Sequence, residues 1–67
     1  MTSEFVIRFI ENPPFVPYRI YLADGRIRRV RHPEMVTIER FAVAITIHDS
    51  RGRAELIDSA SIVSFRE

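Results

Sequence analysis

The chain contains no cysteine, no lysine and only two glycines. Without cysteine there is no disulfide to staple a small fold, and two histidines alone cannot complete a four-ligand structural zinc site. The longest mostly apolar run, Phe41 to Ile47, falls far short of the roughly 20 residues a membrane helix needs, and no charged leader precedes a long apolar stretch. These absences predict a cytoplasmic protein with no membrane partner. At 67 residues the chain has room for one domain, 1–67, and a chain this short hides only about 60% of its unfolded surface. Stability of roughly 3 to 10 kcal/mol follows at typical per-residue values. Support must come from packing or from a partner subunit.

Net charge is only +1, so no whole-molecule field draws in nucleic acid or an acidic membrane. All ten basic residues are arginine. Guanidinium forks bind carboxylate and phosphate bidentately and stack on aromatic rings, whereas GC-rich codon usage would raise arginine with no functional demand and accounts for most of the ten.

Residues 4–11 are nearly all apolar, and the polar positions decide their state. Glu4, Arg8 and Glu11 fall on one helical stripe, with Glu before Arg in the favourable i,i+4 order. Ser3 is the expected cap, and Asn12, which precedes Pro13, ends the helix at about Glu11. So short a helix must dock Phe5, Val6, Phe9 and Ile10 on a sheet. Pro13, Pro14 and Pro17 make residues 12–17 an extended connector, with Phe15 as its apolar anchor.

Strands occupy 18–66. Tyr18 to Ala23 leads into Asp24-Gly25, read as a two-residue type I′ turn, and Arg26 to Arg31 returns. That turn pairs Leu22 with Ile27, Tyr21 with Arg28, Ile20 with Arg29 and Arg19 with Val30. Ile27 and Val30 then lie on opposite faces, which requires a bulge near Arg28-Arg29 or a bent sheet. After Pro33, Val36 and Ile38 resume pairing. Phe41, Val43, Ile45 and Ile47 alternate as the central core strand, and the change of phase puts a turn or bulge at Glu39-Arg40. A turn at 49–52, a strand at 54–57, a corner at 58–61 and a last strand at 62–65 complete the chain.

The predicted fold class is mainly β with one N-terminal α-helix. One helix followed by five short strands, mostly hairpin-connected and with a corner before the last, resembles the SH3-like five-stranded small barrels of the Sm and Hfq type. The signature Pro-Phe-x-Pro-Tyr-x-Ile-x-Leu-x-Asp-Gly-Arg at 14–26, followed by Val-Arg-His-Pro-Glu at 30–34, is similar to that of a group of short bacterial proteins with the same helix, proline-aromatic entry, hairpin and His-Pro-Glu step. This resemblance implies a fold and no activity. Arg28 departs from it, standing where an apolar residue is expected.

The candidate binding residues are Tyr21, Arg26, Arg28, Arg29, Arg31 and His32. Four guanidiniums on the returning strand, with Tyr18 and Tyr21 opposite, could contact phosphates and stack bases, as single-stranded nucleic-acid binders do. Alternation splits the four arginines between two faces, where several would pair with Glu and Asp. Resemblance to Sm proteins implies an RNA-reading Arg-Gly step before the last strand, but Asp58-Ser59 stands there, and its carboxylate would repel a phosphate. His32 with Glu34 and His48 with Asp49 are the pairs suited to metal or acid-base work. Neither has a recognisable spacing. His32 is expected to orient the Pro33 turn by hydrogen bonding and His48 to end the core strand facing solvent. Ser59 and Ser61 have no base partner and suit corner or cap duty.

The expectation is a non-enzymatic small-barrel module, with no catalytic residue, cofactor or metal, that binds a protein partner or assembles as a homo-oligomer through an exposed edge strand. Its recognition centres on the hairpin and the His32-Pro33-Glu34 step. A monomer whose helix and connector cover that edge fits the sequence equally well. The alternative function is Sm-like or Hfq-like binding of single-stranded RNA or DNA through the arginine-rich second strand.

Overall fold

The helix α1 spans Ser3–Glu11 in the structure, a computed structural model that describes residues 1–39 and 44–67. Its cap is Thr2, not Ser3: the Thr2 hydroxyl accepts from the Phe5 amide at 3.3 Å, the reach that suits a residue three positions upstream. Glu4 and Arg8 pair at 2.9 Å on the solvent side. Val6 is buried and Phe9 and Ile10 pack against the core, an i, i+3, i+4 stripe. Phe5 lies at the edge of that stripe and is 52% exposed, contrary to its expected docking.

Among the described residues six strands, not five, form two antiparallel three-stranded sheets. In the first, β1 (Tyr18–Leu22) lies between β2 (Ile27–Val30) and β6 (Ile62–Arg66). In the second, β4 (Ala44–His48) lies between β3 (Val36–Glu39) and β5 (Ala54–Asp58). The extra strand arises at Pro33. Pro33–Met35 forms a 3-10 turn in which the Met35 amide donates to the His32 carbonyl at 3.1 Å, so β2 and β3 fall in different sheets. The sheets face each other across Ile20, Leu22, Val30 and Ile62 on one side and Ile45, Ile47 and Ile57 on the other, and among the described residues they do not close into a barrel. The expected core positions Phe41 and Val43 and the turn at Glu39-Arg40 involve residues outside those described. No helix among the described residues is long and apolar enough to cross a membrane.

The first hairpin corrects the expected register by one residue. Leu22 donates its amide to the Arg26 carbonyl at 2.9 Å, and Gly25 donates to Leu22 at 3.0 Å, so the loop has three residues, with Gly25 at φ +92°. This is a turn closed by a glycine bulge, which confines the positive φ to glycine. Ile20 therefore pairs with Arg28, Tyr21 with Ile27, Arg19 with Arg29 and Tyr18 with Val30. Because a one-residue slip exchanges the faces, Ile27 turns outward and Arg28 inward. No bulge in β2 or bent strand is needed to bury Ile27, which is 45% exposed.

Candidate binding surface

Alternation along β2 divides the four predicted arginines into two pairs with different fates. Arg26 and Arg28 share a side with Val30 and meet carboxylates. Arg26 Nε donates to Asp24 Oδ2 at 2.6 Å and its Nη1 to Glu55 Oε2 at 3.0 Å. Arg28 Nε donates to Glu55 Oε1 at 2.6 Å and its Nη2 to Glu55 Oε2 at 3.3 Å. Hydrogen bonding from Arg28 holds the Glu55 carboxyl below its usual range, and the Arg26 amide does the same for Asp24. Arg28, which departs from the apolar pattern, thus joins β2 of one sheet to β5 of the other.

Arg29 points to the opposite side, and neither it nor Arg31, just beyond β2, makes a salt bridge among the described residues. Register aligns Arg29 with Arg19, and Arg19 with Arg66, so one row of three guanidiniums crosses β2, β1 and β6. Arg19 and Arg66 likewise lack salt bridges among the described residues. In the adjacent row Tyr21 stands between Ile27 and Ser64. The Arg66 guanidinium lies 5.2 Å and that of Arg19 6.0 Å from the Tyr21 ring centre. A concavity of about 290 Å³ opens beside the row, lined by Pro17, Tyr18 and Val30 with Arg19, Arg29, Arg31, Arg66 and Glu67.

Arg19 and Arg66 lie outside the candidate set that the sequence pattern defines. The Arg19-x-Tyr21 spacing, which puts both side chains on one strand face, was the available signal for the first. Placing Arg66 required knowing that β6 pairs with β1. Tyr18, grouped with Tyr21 in the sequence, faces the core instead, its ring centre 5.1 Å from that of Phe9 and 5.7 Å from that of Phe65. Burial pushes its hydroxyl up to about 12, and that hydroxyl is buried with no hydrogen-bond partner among the described residues.

The two histidine-carboxylate pairs, separate in sequence, line one open concavity of about 530 Å³ with Arg31, Met35 and Ser50. Both histidines are exposed. His32 makes no side-chain cap, and its backbone carbonyl, not its ring, supports the Pro33 turn. His48 Nε2 lies 3.4 Å from Thr37 Oγ1. Among the described residues no three His, Cys, Asp or Glu side chains cluster closely enough to hold a metal ion. Asp58 is occupied structurally, capping the turn Ser59–Ser61 by accepting from the Ala60 amide at 3.0 Å, and Ser59 is buried beneath it.

Comparison with protein-family models, with curated proteins and with solved structures returns no match to this chain.

Proposed function

We propose that the protein is a non-catalytic small-barrel module that works as an assembly of its own copies. The observation that supports this reading is exposed apolar side chains on two of the four edge strands, β2, β3, β5 and β6. Of these edge strands, β5 and β6, joined through the turn Ser59–Ser61, carry the most exposed large apolar side chains, Leu56 at 64% and Val63 at 59%, against 45% for Ile27 on β2. An unpaired edge bearing exposed apolar side chains is a template for another strand. Both edges are five residues long, so β5 of one copy can add to β6 of the next, a head-to-tail contact that closes into a ring where the rotation allows. Such pairing would bury apolar surface that a chain of this size cannot cover alone.

The Sm-like or SH3-like architecture belongs to the same proposal. If β2 and β3 are taken as halves of one strand broken at Pro33, the sheet orders become a single path, β6-β1-β2/β3-β4-β5. That is the strand path expected of such a barrel, with α1 at its start.

Light scattering across a wide range of protein concentration tests the assembly. We expect a mass of several chains that falls to one in Leu56→Asp and in Val63→Asp, with circular dichroism unchanged. A mass of one chain at every concentration sinks the reading.

A further inference from the structure

We propose that the outer face of the β2-β1-β6 sheet is a binding surface for single-stranded nucleic acid, with Arg29, Arg19 and Arg66 on the phosphates and Tyr21 as the stacking platform. This goes beyond self-association and stands without it. The first argument is electrostatic. Like charges directly opposite on neighbouring strands destabilise a sheet, yet three guanidiniums sit in one cross-strand row, and Arg31, just past β2, lines the same concavity. Arg26 and Arg28 satisfy themselves with Asp24 and Glu55, so local pairing was available to this hairpin. On the outer face, the row lacks such partners among the described residues. A chain of phosphates supplies the missing negative charge at several points at once.

The second argument selects a single strand over other polyanions. Tyr21 stands in the row next to the arginines, about 7 Å along the strand, with the Arg66 and Arg19 guanidiniums over its ring, so that ring and guanidinium planes form one cluster. A ring and a guanidinium plane both stack an unpaired base, whereas paired bases in a duplex are not available to them. Three strands span about 10 Å, room for about three nucleotides. The concavity of about 290 Å³ beside the row is rimmed by Arg19, Arg29, Arg31 and Arg66, with Glu67 as its one acidic lining residue. This surface is separate from the Asp58-Ser59 corner that blocks the Sm-type reading.

The test is fluorescence anisotropy with labelled decamers of uridine and thymidine, a matching duplex, and heparin as competitor. With three phosphates neutralised, the slope of log affinity against log salt is about −2, a loss of about 20-fold between 50 and 200 mM salt. Arg19→Gln, Arg29→Gln and Arg66→Gln each lower the magnitude of that slope by about 0.7. Tyr21→Leu weakens single-strand binding at least about fivefold while thermal unfolding shows a folded protein. Arg51→Gln, in the turn far along the chain from this face, leaves binding unchanged. No binding at low salt overturns the proposal. Equal affinity for duplex and single strand with no effect of Tyr21→Leu also overturns it, identifying a general polyanion surface, as does an equal loss from Arg51→Gln.

Discussion

The Arg28 guanidinium on β2 clasps the Glu55 carboxylate on β5 through two hydrogen bonds, 2.6 and 3.3 Å long, and so connects two sheets that share no strand. Both side chains are about one-third exposed, at 32% and 33%, which places the pair at the rim of the core. An arginine there solves a geometric problem. The hairpin register directs residue 28 inward, and a long side chain can lay its methylenes on the core while its charged head reaches the rim. The break in apolar alternation is therefore architectural.

Removing only one partner should be worse than removing both. Glu55→Ala leaves the Arg28 charge half-buried and unpaired, and we expect a loss of about 1–2 kcal/mol in urea unfolding, a range already lowered for solvent screening at the rim. Replacing both residues by leucine removes the charge with the partner and keeps apolar packing, so the double variant should lose less than Glu55→Ala alone. A double variant that is equally or more destabilised would show that the pair itself, and not the orphaned charge, dominates.

Most of the architecture was legible because it depends on local chemistry. The stripe of Val6, Phe9 and Ile10, the proline entry and the alternation through Ile45 and Ile47 each specify an element within a few residues. The hairpin register was not legible to the same degree, since Asp24-Gly25 suits both a two-residue turn and a three-residue loop with a glycine bulge. That single ambiguity exchanged the faces of β2, so the candidate set joins Arg26 and Arg28, which meet carboxylates, to Arg29, which makes no salt bridge among the described residues. The basic row was harder still. Its members come from three strands far apart in sequence, and only the long-range pairing of β6 with β1 brings Arg66 beside Arg19.

Tyr18 makes a prediction for alkaline pH. Its buried hydroxyl has no partner among the described residues, so Tyr18→Phe should keep the ring packing against Phe9 and Phe65 and gain about 1 kcal/mol at neutral pH. Burial raises the folded-state value to about 12, whereas the unfolded tyrosine titrates near 10. Above pH 10 the unfolded state releases its proton first, so stability should fall by about 1.4 kcal/mol per pH unit until pH about 12. Urea titrations at a series of pH values should show that this slope is missing in Tyr18→Phe. A wild-type slope retained in the variant would assign it to another group.

Gly25 separates backbone strain from crowding. A Cβ built there meets nothing within 4 Å, yet φ is +92°, a region that L residues rarely adopt. The cost of substitution should therefore follow backbone preference rather than side-chain volume. Gly25→Asn should lose only a fraction of what Gly25→Val loses, because asparagine tolerates positive φ and a β-branched residue does not. We expect Gly25→Val to cost about 1–2 kcal/mol or more, measured by thermal unfolding. The loss arises because valine must either hold the strained conformation or give up the glycine bulge, and giving it up shifts β2 by one residue. Such a shift would turn Arg28 outward and Arg29 inward, breaking the Glu55 clasp and the basic row together. Equal stability of the valine and asparagine variants would show that the loop does not impose this register.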